Sequence, residues 1–101
     1  MSWRRIGIGL LLPLLAVCAC GPVESTSVIL DAEGACRAAE VEHAGDVPEA
    51  AYYYHSAKQY LEKAKEEQGY ADFEIAIDYG RKALELAKKA RAIAAAKPPS
   101  P

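Results

Sequence analysis

The sequence predicts an all-α protein, a small three-helix bundle in which an antiparallel helical hairpin packs against a preceding helix. Alanine, the strongest helix former, occurs 18 times from residue 20 onward. Proline in that part of the chain is confined to Pro22, Pro48 and the last four residues, all outside the candidate helix interiors. No run alternates apolar and polar side chains with the β-branched and aromatic content of a strand.

The first 19 residues are typical of an export signal. Arg4 and Arg5 precede an apolar stretch over residues 6–17. These twelve residues are fewer than the roughly 20 that cross a bilayer, and they match the apolar centre of a signal peptide. We therefore expect residues 1–19 to direct export and to be removed.

The residues after this stretch resemble a bacterial lipobox, the processing site of lipoproteins: Leu15-Ala16-Val17-Cys18-Ala19-Cys20. With Cys20 as the lipid acceptor, the signal peptidase would recognise Val17 at position −3 and the small Ala19 at position −1. Cys18 as acceptor would put the β-branched Val17 at −1, which favours Cys20. The resemblance implies three acyl chains on Cys20, a stable anchor where one chain binds only marginally. The alternative is a secretory signal whose cysteines are incidental.

The residue after the acceptor and the charge of the remaining chain bear on location and partners. Gly21 follows Cys20, and an Asp at this place favours inner-membrane retention in Gram-negative lipoproteins. Its absence predicts the periplasmic leaflet of the outer membrane. Residues 20–101 carry 10 Lys and Arg against 14 Asp and Glu, a net charge of −4 that argues against nucleic acid as a partner.

The helical domain is predicted over residues 26–96, between a short lipidated tether at 20–25 and a Pro-rich tail at 97–101. Its first helix is expected over 26–43. Apolar residues follow the helical repeat there: Ile29, Ala32, Cys36 and Ala39. Gly34 lies within this helix and costs roughly 1 kcal/mol relative to alanine, so the sequence predicts the first helix less strongly than the other two.

The hairpin is predicted from a second helix over 47–68 and a third over 73–96. Asp46 and Glu49 have the spacing of a capping box around Pro48. Gly69 is placed as the C′ residue that follows the second helix, and Asp72 as the N-cap of the third. The predicted seam of the second helix is Ala50, Tyr54, Ala57, Leu61 and Ala64. The predicted seam of the third is Phe73, Ala76, Gly80, Ala83, Ala87, Ala90 and Ala94. Small seam residues allow a close antiparallel approach of the two helices.

No motif indicates catalysis. His43, His55 and Cys36 lack the spacing of zinc ligands, and the chain contains no glycine-rich phosphate loop, nucleophile elbow or Cys-x-x-Cys pair. Cys36 is expected to be a small buried apolar residue, with a disulfide to a second chain as the alternative. We therefore expect a protein that is not an enzyme and needs neither a metal nor another cofactor.

Residues 46–94 resemble an uncharacterised family of alanine-rich envelope lipoproteins, domain-of-unknown-function family 4398. The resemblance is carried by Asp-Val-Pro-Glu-Ala-Ala before the hairpin and Gly-Tyr-Ala-Asp-Phe-Glu-Ile-Ala at its turn. It implies an envelope role, with an OmpA-type or other envelope protein as a partner, because members often precede an OmpA-type peptidoglycan-binding domain. It implies no catalytic residues. The hairpin is also similar to one tetratricopeptide unit, with Ala76 and Ala83 at repeat-like spacing.

These features together predict a lipid-anchored structural or interaction protein. The alternative is a binding module that holds a peptide, a glycan strand or a partner protein through an exposed patch on the tyrosine-rich second helix: Tyr52, Tyr53 and His55. Weak self-association is also expected, because a first helix frayed at Gly34 would leave apolar residues of the third helix exposed: Ile77, Leu84 and Ile93.

Overall fold

A computed structural model describes residues 2–97 of the chain, with side chains described from Cys20 onward. The described residues form an all-α three-helix bundle without strands, which confirms the predicted fold class. Its elements are α1 (Ser2–Val41), a short 3₁₀ helix (Ala44–Asp46), α2 (Pro48–Gly69) and α3 (Phe73–Ala96). The predicted hairpin helices agree with α2 and α3 to within one residue at each end.

The three seams predicted from helical spacing form the core. All predicted seam residues of α1 and α2 are buried, and so are those of α3 except the half-buried Phe73. Helix α3 is central: it packs extensively against both α1 and α2, whereas α1 and α2 contact each other much less. Because alanine and glycine dominate the α3 seam, both neighbouring helices can approach it closely.

The first helix begins well before the predicted start at residue 26. Residues 20–25, expected to be a tether, are helical, and Pro22 lies within α1. This part of the prediction is wrong because tertiary contacts, described below, hold the segment against the hairpin. Proline is unfavourable in the interior of a helix. In a chain processed before Cys20, however, Pro22 would lie in the first turn of the helix, where its missing N–H costs little.

The connection between α1 and α2 does not contain the predicted capping box. Val47 is the N-cap of α2, and no side chain caps this helix. The backbone N–H of Asp46 instead donates to the carbonyl of His43 at 2.9 Å and closes the 3₁₀ helix. His43 takes a left-handed conformation with φ of 57°, which ends α1. Pro48 occupies the start of α2 as predicted.

The connection between α2 and α3 is a tight helix cap in which alanine takes the place expected for glycine. Gly69 is helical, and Ala71 has the positive φ of 60°. The N–H of Asp72 donates to the carbonyl of Glu67, and the N–H of Ala71 to that of Gln68, both at 2.9 Å. These two bonds define a Schellman motif, whose left-handed residue is usually glycine. Asp72 is the N-cap of α3 as predicted, without a side-chain capping hydrogen bond.

The apolar residues beside the α3 seam are covered within the bundle to different degrees. Ile77 is buried, and Leu84 and Ile93 are half-buried against the two core clusters. Gly34 does not interrupt α1, which remains helical to Val41. The fraying on which the prediction of self-association rested is therefore not seen, whereas Leu84 and Ile93 keep part of their surface exposed. Self-association itself stays a prediction.

Candidate functional site: the anchor end and the tyrosine patch

The predicted lipid acceptor lies where α1 passes the α2–α3 connection. Cys20 is exposed and its thiol is free. The next residue, Gly21, faces the hairpin so closely that an added Cβ atom would lie 3.4 Å from Cδ2 of Phe73. Val17 and Ala19, the predicted signal-peptidase recognition residues, lie outside the part of the chain whose side chains are described.

Polar contacts hold the residues after Cys20 on the hairpin. The side-chain amide of Gln68 donates to Ser25 Oγ at 2.9 Å and to Thr26 Oγ1 at 3.1 Å. Ser25 is fully buried, and its hydroxyl donates to the carbonyl of Pro22 at 3.1 Å. We call this set of contacts, together with the Gly21–Phe73 approach, the anchor clamp. It places Cys20 at the same end of the bundle as the α2–α3 connection.

Ion pairs between helices lie along the rest of the bundle. Arg81 pairs with Glu24 at 2.9 Å and ties α3 to α1 near the anchor clamp. Lys65 pairs with Glu33 at 2.6 Å and ties α2 to α1. Such exposed pairs contribute only about 0–1 kcal/mol each, so their role is to orient helices whose burial supplies the stability.

The three residues of the predicted tyrosine patch do not form one cluster. Tyr52 is 72% exposed and Tyr53 half-buried, and their rings meet edge to face with centroids 5.4 Å apart. The ammonium group of Lys89 lies 4.4 Å from the Tyr53 ring centroid, a cation–π contact that links α2 to α3. His55 is exposed, but its nearest aromatic contact is with the buried Tyr54.

An ion pair closes the end of the bundle near this patch. The Lys97 ammonium group at the end of α3 donates to the Glu49 carboxylate in the first turn of α2. This hydrogen bond, supported by a backbone N–H, lowers the pKa of Glu49 below its usual value. The tyrosine patch therefore lies near an ion-paired end of the hairpin, at the opposite end of α2 from the anchor clamp.

Cys36 is a core residue, as its position on the α1 seam predicted. It packs in the cluster that contains Ala57 and Leu61 of α2. Burial raises the pKa of its thiol, against the opposing effect of cationic groups led by Lys58 and Lys65. A buried thiol with a raised pKa is a poor nucleophile, which disfavours the alternative of a disulfide to a second chain.

Two open grooves flank α1, each of about 340 Å³. The first runs between α1 and α3 and combines small apolar residues with charged ones: Asp31, Gly34, Ala35, Ala38, Leu84, Lys88 and Arg91. The second, between α1 and α2, has Cys36, Tyr54 and Leu61 among charged side chains. Within the described residues, no three metal-ligating side chains come together.

Comparison with known proteins adds no assignment: the chain matches no family model, and neither the curated proteins nor the solved structures contain a significant match. The resemblance to family 4398 stays a prediction. Among the described residues, no helix has the length and apolar character needed to cross a membrane.

The anchor clamp is the feature that sequence reasoning missed. Its hydrogen bond from Gln68 to Ser25 joins residues 43 positions apart, and neither residue belongs to a recognisable motif. The signal that could have indicated it is a pair of adjacent hydroxyl residues, Ser25 and Thr26, just before the α1 seam. We assigned Ser25 to the tether and Thr26 to the start of the first helix.

Proposed function

We propose that this chain is a lipid-anchored protein of the periplasmic leaflet of the outer membrane, with a structural or interaction role in the cell envelope and no catalytic activity. The observation that carries the proposal is the lipobox-like sequence that ends at Cys20. The exposure of that cysteine supports it, because a processed and acylated residue must be accessible.

The anchor clamp bears on how an acylated bundle would be positioned at the membrane. Because Gly21 already packs on Phe73, no free linker separates the acylated residue from the folded bundle. The bundle would therefore stand directly on the membrane surface. Helix α3 has 24 residues and is about 36 Å long at about 1.5 Å per residue, so partners must come within roughly that distance of the membrane.

Acceptor identity is the direct test of this proposal. In cells that export the full chain, Cys20→Ala should leave an unprocessed precursor without fatty-acid labelling, whereas the matched Cys18→Ala variant should be processed and labelled as the parent is. Fractionation of the labelled protein should place it in the outer membrane. Labelling that persists in Cys20→Ala would contradict the assignment of the acceptor.

A second function, partner binding through the tyrosine patch, is favoured by the exposure of Tyr52. The Tyr52 ring is 72% exposed and meets the Tyr53 ring edge to face, and tyrosine is enriched among the residues that dominate binding hot spots. The patch lies at the opposite end of α2 from the anchor clamp, so it would face away from the membrane. A peptide, a glycan strand or an OmpA-type or other envelope protein would be the partner.

Photo-crosslinking in intact cells tests this second function. A photoreactive residue at position 52 of the exported full chain should give a discrete adduct. The same residue at position 37, where the exposed Arg37 lies on α1, serves as the matched control and should give none. Equal yields at both positions, or no adduct at position 52, would count against the patch.

A further inference from the structure

Three exposed apolar side chains lie at the anchor end of the bundle. Val23 is 64% exposed, Tyr70 is 74% exposed and Ile75 is 41% exposed. They come from three different parts of the chain: the first turn of α1 after Cys20, the α2–α3 connection and the first turn of α3. We call them the apolar collar.

The anchor clamp puts the members of the collar at one level of the bundle. Gly21 lies against Phe73, and Ser25 is hydrogen-bonded to Gln68, so residues 21–25 run alongside residues 68–73. At about 1.5 Å per residue, Val23 is only about 5 Å along α1 from the acylated residue. The collar therefore lies within the depth of about 5–10 Å to which side chains enter the boundary of headgroups and acyl chains.

The collar points outward in more than one direction. Gly21 and Phe73 face each other across the contact between α1 and α3. Residues two positions apart on a helix differ by about 200° around its axis, so Val23 and Ile75 point away from this contact on opposite sides. A protein partner approaching from one side would cover one of them, whereas a bilayer that meets the end of the bundle would surround both.

Residue type and charge indicate which kind of membrane surface the apolar collar would suit. Tyrosine is enriched at membrane interfaces, where its ring lies in an apolar layer and its hydroxyl in water. Acidic residues outnumber basic ones near the collar: Glu66, Glu67, Asp72 and Glu74 stand against Lys63 and Lys65, while Glu24 is paired with Arg81. This charge opposes a strongly anionic surface and suits zwitterionic headgroups such as phosphatidylethanolamine.

We propose that the anchor end docks end-on into a zwitterionic bilayer interface, with the apolar collar immersed and the tyrosine patch held away from the membrane. The inference rests on the lipid anchor proposed above, which would bring this end to the membrane. It adds that the folded bundle itself contacts lipid and so has a defined orientation.

Tryptophan fluorescence in vesicles measures this orientation. The only tryptophan of the chain is Trp3, in the predicted signal peptide, and Trp3→Phe removes it from any unprocessed protein as well, so that one new tryptophan reports a single position. The full chain carrying Tyr70→Trp or Ile75→Trp is purified from envelopes and reconstituted in phosphatidylethanolamine and phosphatidylcholine vesicles with brominated acyl chains. Tyr52→Trp, exposed at the far end of α2, is the matched control.

Quenching by the brominated lipid should be at least twofold stronger at positions 70 and 75 than at position 52. Equal quenching at the three positions, or none at position 70, would overturn end-on docking. The mass of the same purified protein reports its acyl chains independently. An acylated protein without selective quenching refutes only the docking, and an unacylated protein with selective quenching refutes only the anchor.

Discussion

Two glycine substitutions of identical chemistry should differ in their effect on stability. Gly34 in α1 and Gly80 in α3 both lie in helix interiors, where alanine is preferred by about 0.8–1.0 kcal/mol. Their surroundings differ. A Cβ atom on Gly34 would have Arg37 Nη2, at 4.0 Å, as its nearest neighbour, whereas a Cβ atom on Gly80 would lie 2.7 Å from Cγ1 of Val28.

The clash at Gly80 cannot be relieved cheaply. Carbon atoms pack at about 3.5–4.0 Å, so the approach to Val28 is short by about 1 Å. A valine in a helix is nearly locked in one rotamer, so its Cγ1 atom cannot turn away from the new atom and α1 itself must shift. Overpacking of this kind costs about 1–3 kcal/mol. After the gain in helix propensity, Gly80→Ala should destabilise by about 0–2 kcal/mol, and Gly34→Ala should stabilise by about 0.5–1 kcal/mol.

Thermal unfolding of the chain from Gly21 onward, followed by circular dichroism, provides the measurement. A domain of this size shifts its Tm by about 4–8 °C per kcal/mol. Gly34→Ala should raise the Tm and Gly80→Ala should lower it or leave it unchanged. Adding Val28→Ala should make Gly80→Ala favourable, because the clashing atom is removed. A similar rise in Tm for both single variants would refute the close approach of α1 and α3.

Four further substitutions test other parts of the structure. Ala71→Gly should stabilise by about 1 kcal/mol in urea unfolding, because glycine adopts the left-handed conformation of this cap without strain; a loss of stability would argue against the positive φ. Ala83→Leu should destabilise by about 1–3 kcal/mol by overpacking the buried seam, and an unchanged melting curve would mean that this face does not pack. Gln68→Ala should speed hydrogen exchange in residues 21–28 more than in α3, since it removes the donor of the anchor clamp. Because the pKa of Glu49 is lowered, its pairing with Lys97 stabilises the fold above the usual pKa of 4.5, and this stabilisation is lost as the pH falls through the lower pKa of the folded state. Glu49→Gln should therefore reduce the acid dependence of the Tm below pH 4.5. An unaltered pH profile would contradict the ion pair.

Local sequence patterns were sufficient to predict the helical class, the bounds of α2 and α3 and the buried face of each helix. These features depend on local periodicity. Ala50 and Tyr54 in α2, or Ala83 and Ala87 in α3, share a face because of their spacing, whatever lies opposite. The candidate lipid acceptor is equally local, since the processing pattern around Cys20 is read along the chain. Tyr52 was also identified as a candidate surface residue, and it is exposed.

Tertiary structure alone decided where the bundle begins, how its connections are capped and which residues share the anchor end. Residues 20–25 contain Gly-Pro, which locally disfavours a helix. They are nevertheless helical, and Gln68 of α2 donates a hydrogen bond to Ser25 in this segment. Ala71 adopts a left-handed conformation that glycine would favour locally, because the position of Asp72 as the N-cap of α3 requires the chain to reverse at that point. The collar residues Val23 and Ile75 acquire a common role only because α1 and α3 meet at Gly21 and Phe73. Contacts between residues some 40–50 positions apart depend on shape and close packing, which no local pattern in the chain encodes.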